Sequence, residues 1–225
     1  DGAAYMARRM EEGIRIFTPG MFFEELGLEY IGPVNGHDVR ALIEAFSVAK
    51  GMKKPVVVHA QTLKGKGYEK AEGHLANWHG VSPFDLKSGE AIKKSAAKSA
   101  TALFAENLTQ LASEHKNIVG VTAAMPTGTG IDALMERFPD RFWDVAITEQ
   151  HAVASMAAMA KEGFKPFIAI YSTFLQRAFD QVVHDCAIMN LNVVFAMDRA
   201  GIVGEDGETH QGAFDVSYLN LIPNL

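Results

Sequence analysis

The C-terminal half of the chain repeats one pattern, in which a strand-like apolar run ends in polar residues and a helix-like segment follows. The clearest cases are residues 143–151, 167–177 and 193–201. Strands that alternate with helices of this length are typical of βαβ units. Ligands bind beyond the carboxyl ends of such strands, because several strand-to-helix junctions meet at that edge. The pattern therefore predicts an α/β fold, a parallel sheet with helices on both faces, and a binding site at one edge of it.

Composition narrows the class of protein. Of the 225 residues, 48% are hydrophobic and 21% are charged, which is ordinary for a folded globular protein. The net charge of -6 disfavours a nucleic-acid partner, because such partners require a basic surface. A single cysteine, Cys186, excludes an internal disulfide, and we expect it to be buried. The longest run of small apolar residues, 152–160, is too short to cross a membrane. We see no signal peptide and expect a cytoplasmic protein.

Changes in periodicity divide the chain into three parts. Residues 1–80 end in a β-branched strand, Pro55–His59, and a glycine-rich loop, which is typical of the end of one domain. Residues 81–95 are polar and aperiodic, and we interpret them as a connection between domains. Residues 96–225 carry the strand–helix pattern and should form most of a second domain. The chain opens without Met and stops soon after a loop, so we expect a piece of a longer polypeptide.

Glu149 lies where a predicted strand, Val145–Ile147, gives way to a helix rich in alanine. One interpretation is structural: Thr148 caps the helix, and the positive helix end stabilises the Glu149 carboxylate. The other is a functional acid held at the mouth of the sheet. The polar residues at the neighbouring junctions favour the second interpretation.

The next junction carries an aromatic residue and a cation. Phe174 and Arg177 lie three positions apart and project from the same side of the predicted helix. Phe174 is either part of the core or a stacking platform for a planar ring. Arg177 is either a solvated side chain at the helix surface or a ligand-binding group.

The third junction opens a long loop, residues 198–212, which contains four glycines. Loops of this kind after a strand are often functional. Arg199 can bind an anion through two parallel hydrogen bonds. Asp206 and His210 can form an acid–base pair. A metal role for these two is weaker, because no third ligand appears at a recognisable spacing.

Five segments together resemble one family, the 1-deoxy-D-xylulose-5-phosphate synthases, which are thiamine-diphosphate enzymes of the transketolase superfamily. The segments are Tyr30-Ile-Gly-Pro-Val-Asn-Gly-His-Asp38, Lys64-Gly-Lys-Gly-Tyr68, Thr148-Glu-Gln-His151, Tyr171-Ser-Thr-Phe-Leu-Gln-Arg177 and residues 198–215. The resemblance extends over nearly the whole chain. It implies that residues 1–80 end the diphosphate-side domain, that 81–95 connect the domains, and that 96–225 are the pyrimidine-side domain, incomplete at its C-terminus.

The family catalyses the condensation of pyruvate with D-glyceraldehyde 3-phosphate, with release of carbon dioxide. The resemblance implies that Glu149 hydrogen-bonds the aminopyrimidine ring of the cofactor, that Phe174 stacks on this ring, and that Tyr68 contacts the cofactor from the first domain. The remaining implied site residues hold the acceptor aldehyde and its phosphate (Tyr171, Arg177, Arg199) or lie beside the reacting carbons (His79, Asp206, His210). A homodimer is implied as well, in the cytoplasm or in a plastid stroma.

The chain departs from the family pattern in three places, one of which is the absence of the family's third, C-terminal domain. The Gly-Asp-Gly motif with a downstream Asn, which holds Mg²⁺ and the diphosphate, is absent from the sequence. We therefore predict no metal ligand within the chain and expect the isolated piece to be inactive. Asn35 stands where the family has Asp.

Three alternatives stay open at this point. Transketolase or a pyruvate dehydrogenase β chain would share the fold and the glutamate. A non-catalytic α/β module for assembly or regulation would use Glu149 for stability alone. A phosphosugar isomerase or a metal-dependent lyase would be built on Arg199, Asp206 and His210, without thiamine diphosphate.

Overall fold

Parallel sheets organise both parts of the chain. A computed structural model describes residues 20–73, 78–92, 97–204 and 207–225. The chain divides into two compact units, Asp1–Lys94 and Ser95–Leu225. No helix in these described ranges is both long and apolar enough to span a bilayer.

The first unit contains a two-stranded parallel sheet. Its elements are α1 (Met21–Glu25), β1 (Glu29–Asn35), α2 (Val39–Gly51) and β2 (Val56–Gln61). Asp38 caps α2, because its carboxylate accepts hydrogen bonds from the backbone N–H groups of Arg40 and Ala41. The β-branched residues of β2 predict a strand that is buried on both faces. In the structure β2 is only half-buried, because α2 is the main helix that packs against this sheet in the described residues.

The second unit is built on four parallel strands in the order β4-β3-β5-β6. The strands are β3 (Ile118–Thr122), β4 (Phe142–Asp144), β5 (Lys165–Tyr171) and β6 (Val194–Asp198). The helices are α3 (Ala100–Glu114), α4 (Pro126–Thr129), α5 (Asp132–Arg137), α6 (Glu149–Lys161), α7 (Ser172–Leu175), α8 (Phe179–Gln181) and α9 (Asp215–Leu219). Each strand pair is parallel, so all four carboxyl ends point to the same edge of the sheet.

The sequence pattern over residues 174–189 is typical of one helix, but this segment is broken in the structure. A 3₁₀ turn, Gln176–Ala178, separates α7 from α8, and a π-helical segment, Val182–Ala187, follows. Ala178 leaves the helical region, with φ -110° and ψ 17°. Apolar spacing does not distinguish these helix types over a few residues, because their periods differ little.

Helices cover both faces of the second sheet. Neighbouring residues along a strand point to opposite faces, so the core falls into two clusters. The first joins β3, β5 and α6 through Val119, Val121, Ile168, Ile170, Val153 and Met156. The second joins the other face to α3 and α5 through Ile118, Phe142, Ala169, Leu108 and Leu134. The predicted parallel sheet with helices on both faces is confirmed.

Gly120 provides a test of this packing. A Cβ at residue 120 would lie 2.7 Å from the Phe142 ring. We expect Gly120→Ala to lower the free energy of unfolding by about 1–3 kcal/mol, because the well-packed core resists added volume. Urea denaturation measures this change. In a Phe142→Leu background the same substitution should cost about 1 kcal/mol less, and equal costs in the two backgrounds would contradict the packing.

Cys186 provides a second test. Burial, with a smaller contribution from the Asp185 carboxylate, raises the pKa of the Cys186 thiol to about 11. At pH 8 it should therefore carry roughly 200-fold less thiolate than a free cysteine, and iodoacetamide should alkylate it correspondingly slowly. The rate should increase with pH towards 11. Mass spectrometry of the Cys186 peptide measures it, with the urea-unfolded protein as control; equal rates in the two states would contradict burial.

Candidate active site

Three strand ends in the second unit carry a non-glycine residue in the left-handed backbone conformation. Ala124 follows β3 with φ 61°, Ala146 follows β4 with φ 59°, and Arg199 follows β6 with φ 53°. Residues with a Cβ avoid this region for steric reasons. They persist where their surroundings fix them, and they cluster at functional sites. The carboxyl edge of the sheet is therefore the candidate site, as the strand pattern predicts.

One carboxylate fixes two of these residues. Asp144 is the last residue of β4, and its Oδ1 accepts hydrogen bonds from the backbone N–H groups of Ala124 at 2.7 Å and Ala146 at 2.9 Å. Hydrogen bonds to a charged acceptor are stronger than neutral ones. Asp144 thus ties the turn after β3 to the turn after β4.

The segment before Glu149 differs from the sequence prediction in two respects. The predicted strand at residues 145–147 is wrong, because the chain leaves the sheet after Asp144 and turns through Ala146. Thr148 is the N-cap residue of α6, but its hydroxyl donates to the Val145 carbonyl at 2.6 Å and makes no side-chain capping bond.

Glu149 is the buried acid of this edge. It is the first residue of α6, and its side chain is only 3% exposed. The positive end of the helix stabilises a carboxylate there. Arg177 donates from Nη1 to both carboxylate oxygens, at 3.2 and 3.3 Å. The Arg177 side chain is 55% exposed, so this pair joins a buried acid to a cation that reaches solvent.

Three rings pack together at the start of α7. The Tyr171 and Phe174 rings are stacked, with centroids 5.8 Å apart and planes 18° apart. The His210 ring meets Phe174 edge-on at 5.2 Å and lies 6.3 Å from the Tyr171 ring. Phe174 is half-buried and touches the first core cluster, so it is partly a core residue and partly a surface ring.

Arg199 lies over the ring of Tyr171. Its guanidinium carbon is 4.3 Å from the centre of the Tyr171 ring, which is a cation–π distance. Nη1 donates to the Asp198 carboxylate at 2.8 Å and to the Gly128 carbonyl at 3.1 Å. Arg199 and Phe174 therefore both contact the Tyr171 ring at this edge.

His210 is held through its neighbour in the loop. The Thr209 hydroxyl lies 2.9 Å from His210 Nδ1, and the Thr173 hydroxyl donates to the Thr209 carbonyl at 3.1 Å. The loop after β6 is thereby tied to α7. Asp206, the predicted partner of His210, lies outside the described residues.

Tyr68 belongs to an aromatic group in the first unit. Its ring lies 5.2 Å from Trp78 and 5.8 Å from Phe84, and its hydroxyl donates to the Leu86 carbonyl at 3.0 Å. These contacts fix the orientation of the ring. The predicted cofactor contact of Tyr68 stays a prediction.

His79 also lies in the first unit. Its Nδ1 is 3.1 Å from the Lys64 ammonium nitrogen. An ammonium group only donates hydrogen bonds, so Nδ1 must accept. The predicted catalytic role of His79 stays a prediction.

The structure thus brings the site residues of the second unit into two contacting groups. Glu149 and Arg177 form one. Tyr171, Phe174, Arg199 and His210 form the other. The short helical stretch 172–178 links them, because it carries both Phe174 and Arg177. In the part of the chain that the structure describes, no group of three or more His, Cys, Asp or Glu side chains is arranged to hold a metal ion.

Sequence reasoning missed the residues that hold these groups in place. Asp144 and Asp198 each end a strand, and an acidic residue in that position was the available signal. The sequence gives no sign that Gly128 matters, because its role depends on the Tyr171 ring, which is distant in sequence. A Cβ on residue 128 would lie 1.8 Å from the Tyr171 hydroxyl oxygen.

Residues 96–225 match the family model of the transketolase pyrimidine binding domain. The chain belongs to this family. Residues 1–62 match a second model, that of 1-deoxy-D-xylulose-5-phosphate synthase. The resemblance that the sequence motifs indicate is therefore confirmed, and so is the thiamine-diphosphate-binding type of α/β fold.

Curated relatives carry the same name. The 1-deoxy-D-xylulose-5-phosphate synthase of Campylobacter hominis is 74% identical over 225 residues, which is 100% of this chain and 37% of that protein. The enzymes of Campylobacter fetus and Aliarcobacter butzleri are 72% and 65% identical over 100% of this chain, which is 38% and 37% of those proteins. The chain thus spans a little over a third of the length of these relatives.

Solved structures of transketolases share the fold. Transketolase from Campylobacter jejuni superposes with a TM-score of 0.52 at 22% identity, covering 91% of this chain and 43% of that chain. The Pichia stipitis transketolase complex with sedoheptulose 7-phosphate gives 0.51 at 20% identity, covering 58% and 21%. At these identities the likeness is one of fold.

The Glu149–Arg177 pair can be tested by a double-mutant cycle. We expect Arg177→Met to lower the free energy of unfolding by about 1–2 kcal/mol, because it leaves a buried carboxylate without its cation. In a Glu149→Gln background the same change should cost about 1 kcal/mol less. Urea denaturation of the four proteins measures the coupling. Strictly additive effects would show that the two side chains do not interact.

Proposed function

We propose that the chain is part of an enzyme that condenses pyruvate with D-glyceraldehyde 3-phosphate to 1-deoxy-D-xylulose 5-phosphate and carbon dioxide, with thiamine diphosphate as cofactor. The observation that carries the proposal is the set of groups on one sheet edge, namely the buried acid Glu149, the aromatic Phe174 and the cations Arg177 and Arg199. The 74% identity to the Campylobacter hominis synthase supports the same reaction. Its product is a precursor of isoprenoids, thiamine and pyridoxal.

The chemistry of these residues fits the pyrimidine half of the cofactor. When bound, thiamine diphosphate supplies the electron sink that lets pyruvate lose carbon dioxide. Glu149 would hold a proton shared with a ring nitrogen, and Phe174 would offer the face of its ring. In this structure Arg177 donates hydrogen bonds to the Glu149 carboxylate. Its side chain is more than half exposed, so it can move away from Glu149 without leaving a cavity in the core. Tyr68 would contribute a further contact from the first unit.

The other groups suit a phosphorylated aldehyde. Arg177 and Arg199 carry the positive charge that a phosphate requires, and guanidinium groups match its geometry. Tyr171 lies against Arg199 and would contact the same acceptor. His210, Asp206 and His79 would hold or move protons at the reacting carbons, which is the usual work of such side chains near neutral pH.

The alternatives receive less support. Transketolases resemble the chain at only about 20% identity, against 65–74% for the synthases. The non-catalytic module does not account for polar residues gathered at the strand ends. The isomerase or lyase does not account for the 65–74% identity to the synthases.

The proposal extends to the setting of the reaction. Mg²⁺ would bind with the diphosphate through residues outside this chain, since the motif for it is absent from the sequence. We also carry over a homodimer from the family resemblance. A cytoplasmic location agrees with the bacterial origin of the similar synthases.

A steady-state assay on a full-length protein that contains this chain tests the proposal. We expect carbon dioxide release from pyruvate to require both D-glyceraldehyde 3-phosphate and thiamine diphosphate. Glu149→Gln should lower kcat about 10²- to 10⁴-fold, the usual effect of losing a proton-transfer group. Glu162→Gln is the matched control, because Glu162 is the exposed C-cap of the same helix.

Three results would contradict the proposal or part of it. Preference for xylulose 5-phosphate over pyruvate as the donor would favour transketolase. Turnover that survives removal of thiamine diphosphate by dialysis would favour the isomerase or lyase. Equal kcat values for Glu149→Gln and Glu162→Gln would reduce Glu149 to a structural residue.

A further inference from the structure

We propose that Asp198 is a positioning residue for Arg199 and that Thr101 anchors Asp198. This inference rests on the proposed function, in which Arg199 binds the phosphate of the acceptor. It concerns two residues that touch neither cofactor nor substrate in that proposal. Their effect would be on the choice between phosphorylated and unphosphorylated acceptors.

Both oxygens of Asp198 are engaged. Oδ1 accepts hydrogen bonds from the backbone N–H and from Nη1 of Arg199, each at 2.8 Å. Oδ2 accepts a hydrogen bond from the Thr101 hydroxyl at 2.7 Å. The carboxylate therefore holds the arginine with one oxygen and helix α3 with the other. The side chains of Asp198 and Arg199 are only 22% and 29% exposed, so solvent weakens these bonds less than at the surface.

The bond to the backbone explains the conformation of Arg199. Its φ of 53° is unfavourable for a residue with a Cβ. The Asp198 carboxylate favours this conformation by accepting the Arg199 N–H. The left-handed turn then directs the side chain back over the end of β5, where the guanidinium meets the Tyr171 ring at 4.3 Å.

Gly128 completes the arrangement from a third element. Its carbonyl accepts from Arg199 Nη1 at 3.1 Å, and a Cβ on it would collide with the Tyr171 hydroxyl. Arg199 is thus located by the Asp198 carboxylate, the Tyr171 ring and the Gly128 carbonyl. A guanidinium held in this way loses little side-chain entropy when an anion binds, and pre-organisation of this kind raises affinity.

The test compares two acceptors in a full-length protein that contains this chain. D-glyceraldehyde 3-phosphate carries the phosphate, and D-glyceraldehyde does not. We expect Asp198→Asn and Thr101→Val each to raise KM for the phosphorylated acceptor by about tenfold, equivalent to about 1.4 kcal/mol. KM for D-glyceraldehyde and for pyruvate should stay unchanged.

Two further variants serve as controls. Thr101→Ser keeps the hydroxyl and should restore the KM that Thr101→Val loses. Thr109→Val changes the same residue type on the same helix, away from Asp198, and should leave both KM values as they are. Thr101→Val is nearly isosteric, so it tests the inference even where Asp198→Asn fails to fold.

Loss of activity to the same extent with both acceptors, or no change with either, would overturn the positioning role. Arg199→Ala separates this failure from failure of the proposed function. If it abolishes the preference for the phosphorylated acceptor while Asp198→Asn and Thr101→Val do not, the positioning role alone is wrong. If it leaves that preference unchanged, the assignment of Arg199 to the phosphate is wrong.

Discussion

The candidate site depends on the parallel pairing of β3 with β5 in the middle of the second sheet. These strands are buried by helices on both faces, and their register is continuous from Ile118 to Val121. Because all four strands run in one direction, every strand-to-helix junction opens on the same edge. Residues distant in sequence, such as Glu149 and Arg177, come into contact for this reason alone.

The same device stabilises two of these junctions. A strand ends in an aspartate, and the carboxylate accepts the N–H of a following residue that has a left-handed conformation. Asp144 does this for Ala146, and Asp198 does it for Arg199. In each case a further bond leads to a neighbouring element, through Ala124 or Thr101. Short-range backbone strain is thereby offset by charge-assisted hydrogen bonds.

The sequence predicted what periodicity and position along a strand determine. The parallel sheet, its two helical layers and the edge that carries Glu149 and Phe174 followed from the alternation of apolar runs with helices. The prediction of a strand at residues 145–147 was wrong. An apolar run does not show where the backbone leaves the sheet, and here it leaves after Asp144, whose side chain binds the N–H of Ala146. The role of Gly128 could not be predicted from the sequence either, since it depends on packing against the Tyr171 ring.

The Glu149–Arg177 ion pair at the start of α6 determines what the chain needs in order to bury a charged group. A carboxylate with 3% exposure is costly to enclose when no cation accompanies it. Here the chain provides that cation itself, through Arg177. In the folded chain the Arg177 guanidinium offsets the charge of the Glu149 carboxylate without a small molecule, unlike proteins whose metal ligands assemble only around the ion. The buried start of α6 therefore needs no bound molecule to balance its charge.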